Sequence, residues 1–239
     1  MMVSTGEMEH AEKIVSRADD IWGWGTPAGK LRAQRRAKLL IRSTGMAAGK
    51  TVLELGCGTG VFSEQFAQTH ARVTAIDISS TLLREARKRT VHAEFITADA
   101  TVLPFPDRSF DIVTGSSVLH HLDLSAALPE ISRVLKNKGK IAFAEPNMLN
   151  PQIALERSCS CMRRIFNATP EETAFYRWEI SRALAKSGFI NTEAVPFGFL
   201  HPYTAPGLIK IVTELERLLE NIPVFSEIAG SLIISGQKS

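Results

Sequence analysis

A chain of 239 residues, 44% apolar and 22% charged, is long enough for one globular α/β domain with a substantial core. No apolar run approaches the about 20 residues that span a bilayer, and Met1 to Lys13 lack the apolar stretch of a secretory signal, so a cytoplasmic location is the default expectation. A net charge of +3 is too mild for an extended nucleic-acid surface; Cys57, Cys159 and Cys161 are too sparse for a disulfide scaffold, and the Cys159-Ser160-Cys161 spacing is not that of a zinc site, so no metal is expected.

In chain order, two helices precede the first strand, from about Glu7 to Ile21 and from Lys30 to Thr44, around the break Trp22-Gly23-Trp24-Gly25-Thr26-Pro27. Two tryptophans in that break form either an aromatic cover over a flat ligand or a hydrophobic plug under the helices. Arg32, Arg35, Arg36, Lys38 and Arg42 alternate with Leu31, Leu39 and Leu40, which reads as a solvated basic helix face.

Next comes Val52-Leu53-Glu54-Leu55-Gly56-Cys57-Gly58-Thr59-Gly60. An apolar run breaking into closely spaced glycines predicts a buried strand, a tight turn and, from the spacing after Val61, a helix. Without a Cβ the backbone of such a turn approaches a ligand closely. A dinucleotide fingerprint would need a third glycine where Val61 stands, and a phosphate loop would need Gly-Lys-Ser/Thr. Glu54 at the mouth of the turn would repel phosphate and suits a cationic ligand.

The runs Arg72 to Asp77 and Ala93 to Asp99 each end in an acid. Asp77 is placed to accept hydrogen bonds from a ribose diol and Asp99 from an adenine amino group. Predicted strands near 51–55, 72–77, 93–98, 111–116 and 140–145 alternate with helices near 60–69, 80–90 and 124–136. That alternation gives a parallel sheet covered on both faces. Glu54, Asp77, Asp99 and Ser116 then line the carboxyl edge, where such sheets bind ligands. After Pro146 the sequence predicts an irregular helix from Pro151 to Phe166. A second helix runs from Pro170 to Lys186, with Thr169 as its cap and a stop at Gly188. A strand from Phe189 to Phe197, a helix from about Ala205 to Asn221 and a last strand from Phe225 to Ser235 complete the reading.

The ordered set extends beyond the glycine turn, Asp77 and Ala98-Asp99-Ala100. It includes Leu103-Pro104-Phe105, Ser109 to Val113, Val118-Leu119-His120-His121-Leu122, and Ile131 to Lys140 with Asn137 where a Pro is commoner. In this order it resembles the class I S-adenosylmethionine-dependent methyltransferases of the type 11 small-molecule group, over about residues 50–145. The resemblance implies an α/β fold with a Rossmann-like seven-stranded sheet, mostly parallel with an antiparallel last strand. It also implies an N-terminal helical cap over 1–48 and a methyltransferase domain over 49–239, with roof helices at about 147–187 and 203–221.

S-adenosyl-L-methionine is the implied cofactor and S-adenosyl-L-homocysteine its product. Glu54, Gly56, Gly58 and Ser116 would meet the methionine end, with Cys57 and Gly60 in the same turn. Asp77 would hold the ribose and Asp99 the adenine, between Ile78 and Ala100. His121 and His201 are candidate general bases because histidine titrates near neutrality. His120, Glu145, Tyr176 and Tyr203 are candidate acceptor contacts. The expected acceptor is a small, partly hydrophobic molecule, not nucleic acid. The alternatives are a regulatory protein that binds the donor without catalysis, or a nucleic-acid methyltransferase. Oligomeric state stays open.

Overall fold

Apolar strands separated by amphipathic helices assemble into one sheet in the computed structural model of this chain, which describes residues 15–158 and 173–239. The strands are β1 (Thr51–Leu55), β2 (Arg72–Asp77), β3 (Ala93–Thr97), β4 (Phe110–Ser116), β5 (Leu135–Pro146), β6 (Phe189–Phe197) and β7 (Ser231–Lys238). Their spatial order is β3-β2-β1-β4-β5-β7-β6. Only β7 runs against its neighbours, so the sheet is the expected mostly parallel one. Because β1 pairs with β2 on one side and β4 on the other, strand order reverses there. That switch point opens a crevice at the carboxyl ends of the strands.

Among the described residues the α-helices are α1 (Ala18–Ile21), α2 (Pro27–Thr44), α3 (Val61–Ala67), α4 (Ser80–Arg89), α5 (Leu124–Val134), α6 (Pro151–Ser158), α7 (Arg177–Lys186), α8 (Ile209–Glu220) and α9 (Pro223–Ser226). Leu53, Val113, Phe143 and Leu232 face a core completed by Leu128 and Ile131 of α5 and by Ile180 and Leu184 of α7. Their chain neighbours Val52, Ile112, Ala142 and Ile233 face the opposite side, against Ala33, Ala37 and Leu40 of α2 and Phe62 and Phe66 of α3. Burial on both faces explains why these strands read as continuous apolar runs rather than as alternating ones. Helix α2 therefore shares the core of the sheet. It starts at Pro27, three residues before the predicted Lys30, because Thr26 accepts a hydrogen bond from Gly29 N at 2.9 Å and Pro27 fills the first helical position.

The sequence reading departs from the structure at several element ends. Strand β5 begins at Leu135 rather than near 140, with its pairing interrupted between Phe110 and Ile112 of β4. The helix expected from Pro170 begins at Arg177; the proposed cap Thr169 lies outside the described residues, as do Cys159 and Cys161. Phe175 is extended instead, donating to the Pro146 carbonyl at 3.1 Å and accepting from Met148 N at 3.0 Å, which takes up the groups a helix would use. The last strand begins at Ser231, not Phe225. Pro223 starts the short α9, and the Asn147 side chain then donates to the carbonyls of Glu227 and Ala229, both at 2.8 Å. Among the described residues no helix is long and apolar enough to cross a membrane.

Candidate functional site

Adjacent parallel strands bring three acids to one rim. Glu54 is the penultimate residue of β1, Asp77 ends β2, and Asp99 lies two residues beyond β3, with Glu54 registered on Ala75 and Asp77 on Thr97. The turn between β1 and α3 wraps around Asp77. Gly58 N donates to one carboxylate oxygen at 2.8 Å and Ser79 N to the other at 2.9 Å. An ionised carboxylate is an acceptor at both oxygens, the chemistry a ribose diol requires. Asp99 likewise anchors its own turn, accepting from Thr101 N and Oγ1 at 2.8 and 2.7 Å. Ile78 stays half-buried at the rim, whereas Ala100 is drawn into the main core.

The turn has the backbone that only glycine adopts easily. Gly56, Gly58 and Gly60 have φ of 61°, 52° and 80°. A Cβ on Gly58 would stand 3.1 Å from the Trp22 ring, and one on Gly60 would stand 3.0 Å from Ala86 of α4. Trp22 covers the glycine turn, and Trp24 packs edge-on against Phe62, centroids 5.4 Å apart, as a plug. Asp19 ties α1 to the turn through Thr59 Oγ1 at 2.6 Å and an ion pair with Arg89. Cys57 is buried, and burial pushes its thiol ionisation up, so it is a packing side chain rather than a nucleophile.

Glu54 is only 1% exposed. Burial raises its carboxyl pKa to about 8, partly opposed by the Ser63 hydroxyl at 2.6 Å and assisted by the negative charge of Asp77. It is an acid held mostly neutral at pH 7, waiting beside a second carboxylate.

The segment leaving β4 is held by Glu145 at the end of β5. One Glu145 oxygen accepts from Val118 N and Leu119 N at 3.0 and 2.9 Å; the other meets His120 Nδ1 at 2.7 Å. Glu145 is fully buried, so the expectation that it grips an acceptor is corrected: its carboxylate is consumed in shaping the loop and orienting His120. His120 is also buried, and its ring lies against exposed His121 with centroids 4.1 Å apart. His201 and Tyr203 form a different group, centroids 5.7 Å apart. His201 is exposed, with Gln152 Nε2 3.3 Å from its Nε2, and its pKa is lowered by burial and by the nearby Arg32 charge. Tyr203 donates its hydroxyl to the Asp20 and Ile21 carbonyls at 3.0 and 3.3 Å, so it latches the segment after β6 onto the N-terminal turn. Tyr176 stacks on Trp178 at 5.0 Å.

The sequence reading missed Arg36. Its guanidinium, on a residue 5% exposed, donates to Ser117 Oγ at 2.9 Å, Ser116 Oγ at 3.1 Å and Ser231 Oγ at 2.6 Å, joining α2 to the ends of β4 and β7. The basic helix face is therefore corrected: Ala33, Arg36, Ala37 and Leu40 form its inward stripe, while Leu31 is exposed. That 33-36-37-40 spacing was the available signal.

Residues 53–143 match the family model described as "Methyltransferase domain". The chain is 34% identical over 167 residues to demethylmenaquinone methyltransferase of Corynebacterium urealyticum, covering 63% of this chain and 72% of that protein. It is 40% identical over 118 residues to the demethylmenaquinone methyltransferase of Renibacterium salmoninarum, where the match spans 49% of either chain, about half the relative's length. In fold it is similar to a Thermotoga maritima structure titled as an S-adenosylmethionine-dependent methyltransferase, possible histamine N-methyltransferase. The TM-score is 0.66 at 19% identity, over 97% of this chain and 100% of that one. The chain belongs to the class I S-adenosylmethionine-dependent methyltransferases.

Proposed function

We propose that this protein transfers the methyl group of S-adenosylmethionine to a small-molecule acceptor. The observation that carries the proposal is the convergence of Glu54, Asp77 and Asp99 at one strand-end rim around a glycine turn. The donor's sulfonium supplies the chemical drive, since its leaving group is a neutral thioether. The chain's part is to bind and align; positioning of that kind contributes about 7–11 kcal/mol at best. In this reading Asp77 takes the ribose diol, Asp99 the adenine edge, and the backbone of Gly56, Gly58 and Ser116 the methionine end. Trp22 closes over the turn. His120, oriented by Glu145, and the adjacent His121 are the proton acceptors available for an acceptor group that must lose a proton. The names of the sequence relatives support a small acceptor, and nothing in the rim favours nucleic acid.

A neutral Glu54 makes donor binding depend on pH in a defined direction. A cationic ligand favours the ionised carboxylate, so binding drives a proton off Glu54. Donor affinity should therefore rise by up to about tenfold per pH unit from pH 6 toward 8 and then level, with proton release visible when calorimetric titrations are repeated in buffers of different ionisation enthalpy. The free protein should show the opposite trend. Its fold retains a proton that the unfolded chain gives up above the usual carboxylate range, so the contribution of Glu54 to stability falls as pH rises from about 4.5 toward about 8. Glu54→Gln should flatten the affinity profile. A pH-independent affinity in the native protein would contradict the neutral carboxyl, and absence of donor binding at millimolar concentration would remove the proposed function.

A further inference from the structure

A cavity of about 330 Å³ lies between α2 and α8, floored by the ends of β6 and β7. Arg32, Arg35, Arg36, Lys38 and Arg217 line it, with Glu216 as the one acid among the described lining residues. Glu216 is already committed, to an ion pair with Arg35 and to the backbone N–H groups of Phe199 and Leu200. Arg35 is further taken by Glu220, and Arg217 by Glu214.

Arg32, Arg36 and the exposed Lys38 make no ion pair among the described residues; the acids that act on Arg32 and Arg36, Glu216 and Glu145, are already committed to other partners. Arg32 and Arg36 stand four residues apart on one face of α2, both guanidiniums over the Trp24 ring at 5.6 and 5.4 Å from its centroid. Among the described residues the hydrogen bonds of Arg36 go to serine hydroxyls, which are neutral acceptors. Arg32 is half-buried and, among the described residues, makes no hydrogen bond or ion pair. Charges withdrawn from water are ordinarily paired, because desolvation costs several kcal/mol per ion. Two neighbouring cations, neither in an ion pair among the described residues, mark a place where an anion from outside would be held. The planar fork of arginine suits a carboxylate or a phosphate, and Leu31, Phe197 and Leu200 give the same cavity apolar walls.

We propose that this cavity binds the anionic group, carboxylate or phosphate, of the methyl acceptor, with Arg32 and Arg36 as its counter-charges. The proposal rests on the methyl-transfer reading and narrows its acceptor to anionic molecules with an apolar portion. Arg36 touches Ser116 at the rim and lines the cavity, so the acceptor would reach from Arg32 toward the donor's methionine end. The donor also carries a carboxylate, whose two oxygens can bridge both guanidiniums, so the S-adenosylhomocysteine arm of the test below separates the two sources.

The test titrates the full-length protein with inorganic phosphate, followed by calorimetry and tryptophan fluorescence, with and without saturating S-adenosylhomocysteine. The expected result is saturation at millimolar phosphate in both conditions. Arg32→Gln should weaken phosphate binding by about tenfold or more, the loss of a charge-assisted bidentate contact, with S-adenosylhomocysteine affinity unchanged. Arg32→Lys, which restores the charge, should restore phosphate binding to within a few fold. No saturation in the native protein would overturn the proposal, as would equal loss in both variants. Loss of phosphate binding once S-adenosylhomocysteine is bound would overturn it too, by assigning the cation pair to the donor's carboxylate. Failure of S-adenosylhomocysteine itself to bind would overturn the function proposed above, while the phosphate arm alone would still decide the anion site.

Discussion

Asp77→Ala should weaken S-adenosylhomocysteine binding by about 100-fold or more while leaving the protein folded. The effect has two parts. The carboxylate would lose two charge-assisted hydrogen bonds to the ribose, each about 1.5–3 kcal/mol. It would also release the backbone N–H groups of Gly58 and Ser79, which it holds at 2.8 and 2.9 Å, so the glycine turn would no longer be preset for its ligand. Asp77→Asn keeps an acceptor oxygen and the shape but loses the charge, and should fall between the two. Calorimetric titration of both variants, with circular dichroism as a folding control, measures this. An alanine variant that binds within threefold of the native protein would show that the β2 acid serves only its turn.

Glu145→Ala should cost about 3 kcal/mol or more of stability, because three polar partners lose their acceptor at once in a dry place. The N–H groups of Val118 and Leu119 would be buried without an acceptor, and Val118 is the side chain that seats on Gly56: a Cβ there would come within 2.5 Å of it. The damage should therefore spread from β5 to the donor turn. Glu145→Gln retains one oxygen for the two N–H groups and presents its amide to His120, which can switch tautomer. It should recover most of the loss. Urea unfolding midpoints at unchanged slope compare the three proteins. Near-native stability in the alanine variant would mean that the loop after β4 holds its shape without the carboxylate.

The half of the chain from β1 to β5 was legible because its signals are local. Apolar runs, the Gly56-Gly58-Gly60 turn and the strand-end acids lie within a few residues of the structure they specify. The parallel order and the shared rim followed from them. The cation cluster was not legible by the same means. Arg36 meets Ser231 across 195 residues, and its burial depends on α2 lying against the sheet, which the small residues Ala33 and Ala37 allow. Leu31, which is exposed, drew attention to the wrong face of that helix. Glu145 reads as an accessible strand-end acid until the loop folds back over it and supplies two N–H donors. Phe225 to Ile228 is apolar enough to read as strand, yet Pro223 and the Asn147 side chain hold the segment in a short helix and turn instead.

The most direct test of the central claim is a crystal structure with S-adenosylhomocysteine bound. The ribose diol is expected on Asp77, the adenine beside Ile78 and Asp99, and the homocysteine portion along Gly56 and Gly58 within reach of Glu54 and Ser116. Electron density for the nucleoside at any other strand edge, or with Asp77 facing away from the ribose, would contradict it.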